Sequence, residues 1–165
     1  MDERRSVATM MNRAPYSIGE DETLLMAWEV VERSGQCHLP VVRQDGGCAG
    51  VLDRAELAVA CAAPAVTLSR RKVRDLVHGR RTVTVHPETS MLHAAAVMAE
   101  EQLDALPVTD PHGRLTGLLT ARDYVAAAAG LPPHTGQARE ASHIRATLPG
   151  LSPRRREPER GLPIP

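Results

Sequence analysis

The sequence predicts an α+β fold made of two tandem β-α-β-β-α repeats that pack around a pseudo-two-fold axis. Three observations predict it: an internal duplication, short apolar strands that alternate with amphipathic helices in each copy, and a change of composition after Gly130. In a chain of 165 residues, one copy alone would bury too little apolar surface to be stable, so we expect the copies to pack together. We assign repeat 1 to residues 6–63, repeat 2 to residues 71–130 and a tail to residues 131–165.

The duplication is a series of matching residues at a constant offset of 67 positions, as between Gly46 and Gly113. Residues 39–42 read LPVV, and residues 106–109 read LPVT at the same offset. Ahead of Tyr16 the offset falls to 66, which we attribute to one residue dropped in a turn. Matches sustained at one offset over about fifty positions indicate a repeated structural unit.

Each copy begins with a short helical lead-in, in residues 6–11 and in residues 71–77. A strand is expected next, in residues 16–18 and 82–86, because polar and apolar residues alternate there.

The long helix of each copy follows, in residues 22–34 and 89–102, where apolar residues recur every three to four positions. Two strands joined by a turn containing Asp and Gly come next, and a closing helix completes the copy. These last elements are assigned to residues 39–43, 50–52 and 54–63 in repeat 1, and to residues 106–109, 115–119 and 121–129 in repeat 2. Pro64 and Gly130 end the two closing helices.

Charge and cysteine content exclude several classes of protein. The formal net charge is zero, with 20 Lys and Arg against 20 Asp and Glu, whereas a nucleic-acid-binding protein is expected to be basic. The three cysteines form no CxxC pair, so neither a disulfide framework nor a zinc site is expected. The N-terminus has no apolar signal segment, and no apolar run is long enough to span a membrane. We therefore expect a cytoplasmic protein without a membrane partner.

The tail differs in composition from the rest of the chain. Residues 131–165 contain seven of the 13 prolines and show no sustained apolar periodicity, so we expect this segment to be mostly disordered. The three arginines at residues 154–156 leave open a basic anchor for nucleic acid or a membrane, although Glu157 and Glu159 weaken that pattern.

Repeat 2 contains the stretch GLLTARD at residues 117–123, preceded by LPV at residues 106–108 and by VTVHPETSM at residues 83–91. In this order, and duplicated, these motifs resemble the CBS (cystathionine-beta-synthase) domain pair, also called a Bateman module. The resemblance covers roughly residues 6–129 and favours a stand-alone CBS domain-containing protein. It implies a regulatory module that binds an adenosine-containing ligand (AMP, ADP, ATP or S-adenosylmethionine) between the repeats and that often forms a homodimer.

Within GLLTARD, Thr120 and Asp123 fit a helix capping box, which explains both residues without a ligand. The functional alternative uses the same helix start. Thr120 and backbone N–H groups would bind a phosphate, Arg122 would add positive charge, and Asp123 would accept hydrogen bonds from a ribose. Residues 82–85 and 105–107 would hold the base. The predicted nucleotide-binding residues are therefore Thr82, Val83, Val85, Ala105, Leu106, Pro107, Thr120, Arg122 and Asp123.

Repeat 1 departs from this pattern, because Asp53 and Glu56 stand where repeat 2 has Thr120 and Asp123. Asp53 still suits a helix N-cap, but its carboxylate would repel a phosphate about 4 Å away by several kcal/mol. We expect no nucleotide phosphate here: the site is empty, or it takes a neutral nucleoside or a cationic ligand. The residues of this degenerate second site are His38, Pro40, Asp53 and Glu56.

No catalytic residues and no metal ligands are expected, because the sequence contains no Ser-His-Asp order, nucleophile elbow, P-loop or dinucleotide-binding glycine motif. The expected function is ligand sensing coupled to an unknown effector protein. An alternative from another class is a ligand-free scaffold, in which the fold is kept for dimerisation. Nucleic-acid binding through residues 154–156 is a less favoured alternative.

Overall fold

The computed structural model describes residues 5–133. The expectations for the basic segment and for disorder beyond residue 133 therefore lie outside the described residues. Within residues 5–133, none of the helices has the length and apolar character needed to cross a bilayer. The fold is α+β, as the sequence predicts, and the elements of the two repeats correspond in order, except that the first strand of repeat 1 has no counterpart strand in repeat 2.

Repeat 1 contains three strands and two helices, and repeat 2 contains two strands and two helices. The elements of repeat 1 are β1 (Ile18–Gly19), α1 (Leu24–Ser34), β2 (His38–Val42), β3 (Cys48–Asp53) and α2 (Arg54–Ala60). The short helix α3 (Ala65–Leu68) lies in the crossover between the repeats, and the short helix α4 (Arg74–Val77) lies in the lead-in of repeat 2. The elements of repeat 2 are α5 (Met91–Glu101), β4 (Ala105–Thr109), β5 (Leu115–Thr120) and α6 (Ala121–Ala128). A 3₁₀ turn at Val7–Thr9 precedes them all.

The duplication extends to the register of the strands. In the antiparallel pair β2–β3, His38 lies opposite Asp53, and in β4–β5 Ala105 lies opposite Thr120, the same register at the offset of 67 residues. Both pairs shift register at the same place, before Val42 and before Thr109 respectively.

The two hairpin turns meet at the pseudo-two-fold axis. The Cys48 N–H donates to the Gly113 carbonyl at 3.0 Å, and the Leu115 N–H donates to the Gly46 carbonyl at 3.2 Å. These two bonds exchange places under the offset of 67 residues, so each is the symmetry equivalent of the other. The expected pseudo-two-fold arrangement is therefore present at the level of individual hydrogen bonds.

Each lead-in packs on the opposite repeat. The Val7 N–H donates to the Thr89 carbonyl of repeat 2 at 2.8 Å, and the Val73 N–H donates to the Glu22 carbonyl of repeat 1 at 2.9 Å. The buried side chains follow the same exchange: Val7, Met10 and Met11 lie in the core of repeat 2, and Val73 and Val77 lie in the core of repeat 1. Because each core needs apolar side chains from the other half, the two repeats form one folding unit.

The first strand predicted for repeat 2 is the one element that does not form as a strand. Val85 makes only an isolated parallel bridge to Val108. In repeat 1 the ladder continues because the Glu20 N–H donates to the Val42 carbonyl at 2.9 Å. The equivalent residue in repeat 2 is Pro87, which has no N–H to donate. The freed carbonyl of Thr109 pairs instead with Nδ1 of His86, at 2.9 Å.

The long helices α1 and α5 have equivalent caps, except that the residue at the C-terminal cap is glycine in α1 and glutamine in α5. Thr23 caps α1 through the Met26 N–H, and Ser90 caps α5 through the His93 N–H, so both helices start two residues later than predicted. Both end in the left-handed backbone region, α1 at Gly35 (φ 67°) and α5 at Gln102 (φ 55°). A side chain with a Cβ is disfavoured in this region, and glycine is not.

Replacing Gln102 by Gly is expected to raise the free energy of unfolding by about 0.5–1 kcal/mol, because it removes left-handed strain at an exposed position. Gly35→Ala, at the equivalent position, is expected to lower it by a similar amount. Chemical denaturation of the two variants measures both effects. An unchanged or lower stability in Gln102→Gly would contradict the assignment of strain to this residue.

Candidate functional site

A cleft lies between the repeats at the start of α6, and we name it the Asp123 cleft. Its volume is about 650 Å³. One wall comes from repeat 2 and the other from repeat 1. The lining residues are Asp104, Leu118, Thr120, Ala121, Arg122 and Asp123 on one side, and Asn12, Ala14, Tyr16, Ser34, Gly35, Gln36, Cys37 and His38 on the other.

Thr120 and Asp123 form a bonded pair at the N-terminus of α6. The Thr120 N–H donates to Oδ2 of Asp123 at 2.7 Å, and the Thr120 hydroxyl donates to the same oxygen at 2.8 Å. Asp123 is only 4% exposed, although it lines the cleft. The capping interpretation of these two residues is therefore realised in the structure.

The helix start offers fewer backbone donors than its sequence suggests. The Ala121 N–H donates to the backbone carbonyl of Asp104 at 2.8 Å, so it is not available to a phosphate. Positive charge comes from Arg122, which is exposed and lines the cleft. No carboxylate among the residues described forms a salt bridge with Arg122.

Tyr124, in the first turn of α6, connects this helix to the start of α5. Its hydroxyl donates to the Met91 carbonyl at 2.8 Å. Burial, and to a lesser extent the neighbouring charge of Asp123, raises the pKa of Tyr124 to about 12. The phenol therefore remains protonated and keeps this bond between α6 and α5 throughout the physiological pH range.

The repeat-1 wall of the Asp123 cleft contains residues that the sequence did not indicate. Tyr16 and Gln36 line the cleft, and no local motif marked them as site residues. His38 also lines this cleft, whereas the sequence assigned it to the degenerate second site. This wall forms because the lead-in of repeat 1 packs on repeat 2 and brings Asn12 against Leu118 of β5, a contact that no local sequence pattern indicates.

The structure divides the predicted nucleotide-binding residues between two clefts. Thr120, Arg122 and Asp123 line the Asp123 cleft. A second, smaller cleft of about 220 Å³, which we name the Arg80 cleft, is lined by Gly50, Val51, Val77, Arg80, Arg81, Thr82, Val83, Glu101, Leu103, Ala105 and Pro107. The remaining predicted residues, Val85 and Leu106, belong to the buried core of repeat 2. The lead-in exchange is the reason: the segment that faces Thr120 comes from repeat 1 and not from residues 82–85.

The residues of the degenerate site are also separated. Asp53 caps α2 by accepting the Glu56 N–H at 2.6 Å, as expected from its sequence. Glu56 forms a salt bridge with Arg80, which lines the second cleft. Pro40 is buried in β2. The carboxylate that corresponds to Asp123 is therefore already paired with a cation, in contrast to Asp123 itself.

His38 is the residue of the Asp123 cleft with a perturbed imidazole. Burial lowers its pKa below the ordinary value of 6.5, and the Asp104 and Asp53 carboxylates offset only part of this effect. Below pH 6.5 the unfolded chain therefore binds a proton more readily than the folded one. The free energy of unfolding should fall as the pH drops below that value.

His38→Gln is expected to remove this acid sensitivity. Between about pH 7.5 and about pH 5, the wild-type protein should lose more stability than the variant, by less than about 1 kcal/mol, because solvent screens a half-exposed imidazole. Thermal melting of both proteins across this range measures the difference. Equal losses would show that the environment of His38 does not favour its neutral form.

In the described part of the chain, no three His, Cys, Asp or Glu side chains come together in an arrangement that could bind a metal ion. The three cysteines are free thiols: Cys37 is exposed, Cys48 is buried and Cys61 is half-buried.

A family model of the CBS domain matches residues 7–63 and again residues 73–130. The chain therefore belongs to the CBS domain family, and its two repeats are a CBS domain pair. The resemblance found in the motifs of repeat 2 is confirmed.

Individual proteins with a similar sequence include enzymes and a small CBS domain-containing protein. Over 120 residues the chain is 28% identical to homoserine O-acetyltransferase of Methanosarcina acetivorans, covering 73% of this chain and 21% of that enzyme. Over 128 residues it is 28% identical to a CBS domain-containing protein of Dictyostelium discoideum, covering 72% of this chain and 88% of that protein. The chain spans only about a fifth of the length of the enzymes that it matches first.

Solved structures share the fold. A CBS domain pair in complex with 5′-methylthioadenosine and S-adenosyl-L-methionine has a TM-score of 0.66 at 21% identity, covering 76% of this chain and 97% of that one. CBSX2 in complex with AMP has a TM-score of 0.62 at 23% identity, covering 76% and 96%. The cytosolic domain of the Mg²⁺ channel MgtE in complex with ATP has a TM-score of 0.59 at 25% identity, covering 72% and 46%.

Proposed function

We propose that this protein is a non-catalytic regulatory module that binds an adenosine-containing ligand of the AMP, ADP or ATP class in the Asp123 cleft. The observation that carries the proposal is the pairing of Thr120 with the buried carboxylate of Asp123 at the rim of a 650 Å³ cleft. A carboxylate held in this way suits the two hydroxyls of a ribose. The complexes of related folds with AMP, with ATP and with S-adenosyl-L-methionine support this class of ligand.

Binding would redistribute the hydrogen bonds of the Thr120–Asp123 pair. A ribose hydroxyl would donate to Asp123 in place of the Thr120 hydroxyl, which now lies 2.8 Å from Oδ2. The Thr120 hydroxyl would then be free to donate to a phosphate oxygen, and Arg122 would supply the charge. Bonds from charged groups to phosphate are among the stronger hydrogen bonds in proteins. The exchange leaves each buried polar atom with a partner.

The ligand would act by joining two walls that belong to different repeats. One wall is the start of α6, and the other is the part of repeat 1 that follows its lead-in, with Tyr16 and His38. A ligand that contacts both walls stabilises one relative position of the repeats over others, by its difference in affinity for the two arrangements. We propose that a separate effector protein reads this change.

We further propose that the protein works in the cytoplasm as a homodimer. The free thiols suit a reducing compartment. Several helical side chains expose apolar surface that a second copy would cover: Val59 at 79%, Val125 at 69% and Leu92 at 55% exposure. The same surface favours the alternative of a scaffold that dimerises without a ligand. Sedimentation of the free protein measures the dimer directly, and a monomer at micromolar concentration would contradict it.

Thermal melting with AMP, ADP, ATP and S-adenosylmethionine tests the ligand-sensing function. A ligand at 100 times its dissociation constant should stabilise the folded state by roughly 2.7 kcal/mol. A clear shift with one of these compounds supports the sensor. No shift with any of them at millimolar concentration, together with a stable dimer, would favour the scaffold.

A further inference from the structure

Gln36 is placed so that its side chain holds the backbone of Tyr16. Its amide nitrogen donates to the Tyr16 carbonyl at 2.8 Å, and its amide oxygen accepts the Tyr16 N–H at 3.0 Å. The same nitrogen donates to the His38 carbonyl at 2.5 Å. The side chain therefore gives Tyr16 the donor and the acceptor that a neighbouring strand would otherwise supply.

This contact orders a segment that has no strand of its own. Tyr16 precedes β1, which begins only at Ile18. Both polar groups of its backbone are bonded to Gln36, so the single N–H of Tyr16 is not available to a ligand. The half-buried side chain of Tyr16 packs against the core of repeat 1, and Tyr16 also lines the cleft. A ring held by a fixed backbone is a suitable surface for a planar base.

This amide contact between Gln36 and the Tyr16 backbone exists beside only one of the two clefts. The residue that corresponds to Gln36 in repeat 2 is Leu103, which lines the Arg80 cleft and has no polar side-chain atom. The Thr82 hydroxyl in that cleft donates to the Ala49 carbonyl at 2.9 Å. The amide contact of Gln36 with Tyr16 thus occurs beside the cleft that Asp123 also lines.

We propose that Gln36 is a positioning residue that holds Tyr16 as the stacking surface for the base of the ligand in the Asp123 cleft. This inference rests on the proposed function, since it assigns the base end of the same ligand. Asp123 and Thr120 would bind ribose and phosphate, and Tyr16 would select for a planar aromatic base.

A double-mutant cycle with AMP as the probe tests the inference, with calorimetric titration of the wild type, Gln36→Met, Tyr16→Leu and the double variant. Gln36→Met keeps the length of the side chain and removes its three hydrogen bonds. It should weaken AMP binding roughly tenfold in the wild-type background, the size expected for one stacked base. In the Tyr16→Leu background the same change should weaken binding less than about twofold, because Gln36 acts through Tyr16. Leu103→Met is the matched control and should leave AMP affinity unchanged.

The outcomes separate this inference from the function on which it rests. If the wild type binds no AMP, ADP, ATP or S-adenosylmethionine, the proposed function fails. If the wild type binds AMP but Gln36→Met binds it equally well, the positioning role is wrong. Equal losses in both backgrounds would also overturn the role, because they would show an effect of Gln36 that does not pass through Tyr16. Melting of each free protein, the Leu103→Met control included, ensures that all five are folded at the titration temperature.

Discussion

Asp123→Asn is expected to weaken the binding of AMP by roughly 10- to 100-fold, because a hydrogen bond from a ribose hydroxyl to a charged acceptor contributes about 1.5–3 kcal/mol. The amide keeps an oxygen that can accept the Thr120 N–H, which now donates to Oδ2 at 2.7 Å. The variant should therefore fold, with a loss of only about 1 kcal/mol. Calorimetric titration with AMP measures the affinity, and melting without ligand measures the stability.

Glu56→Gln is the matched control, since Glu56 occupies the corresponding position in repeat 1 and is paired with Arg80. It should change AMP affinity by less than about twofold, because a charge outside the cleft and already paired has little effect. If Glu56→Gln abolishes binding and Asp123→Asn does not, the ligand lies in the other cleft. If neither changes the affinity, neither carboxylate contacts the ribose.

Gly117→Ala is expected to lower the free energy of unfolding by about 1–3 kcal/mol, the range for overpacking of a close contact. A Cβ at this position would lie 2.9 Å from the backbone oxygen of Asn12 and 2.8 Å from the sulfur of Met11. Asn12 and Leu118 exchange two backbone hydrogen bonds of 2.9 Å here. Because backbone cannot rotate away as a side chain can, the lead-in would have to move off β5.

This displacement should also weaken ligand binding, since Asn12 and Ala14 line the Asp123 cleft. Gly19→Ala is the control, because its Cβ would meet only Glu22 Cγ, at an ordinary 3.7 Å. It should change stability by no more than about 0.5 kcal/mol. Denaturant unfolding of both variants, followed by AMP titration, tests the prediction. A Gly117→Ala protein as stable as Gly19→Ala would show that the lead-in adjusts without cost.

The repeat, the order of its elements and the caps at the helix starts could be read from local patterns. The offset of 67 residues reappears in the register of both strand pairs, and Asp53 caps α2 as predicted. The strand predicted around Val85 did not form, although Val85 is buried and its neighbours Thr84 and His86 are exposed, as the alternation of polar and apolar residues predicts. That pattern reports which side chains face the core, whereas the ladder also needs an N–H that Pro87 lacks.

The candidate site could be predicted only in part. Its motif lies within a few consecutive residues, whereas the opposite wall of the cleft comes from residues far away in the sequence. Thr120 and Asp123 are three residues apart and lie on one helix start, so their contact follows from spacing alone. Tyr16 and His38 reach the same cleft from repeat 1, across more than half of the described chain. The residues expected to complete this site, Thr82 and Ala105 among them, line the Arg80 cleft instead.

The sequence by itself determined that two equivalent units exist and that only one of them carries a hydroxyl and a carboxylate, Thr120 and Asp123, at the start of its closing helix. The tertiary structure alone decided which segments face that pair. Packing of Val7 on repeat 2 and of Val73 on repeat 1 sets this choice. In this packing, the core of each repeat includes apolar side chains that are far away in the sequence. Hydrophobic periodicity within a short stretch of sequence shows which side chains are buried, but not which repeat they pack against. The asymmetry of the motif was therefore visible in the sequence, and the asymmetry of the walls, with Gln36 at one cleft and Leu103 at the other, became visible only in the fold.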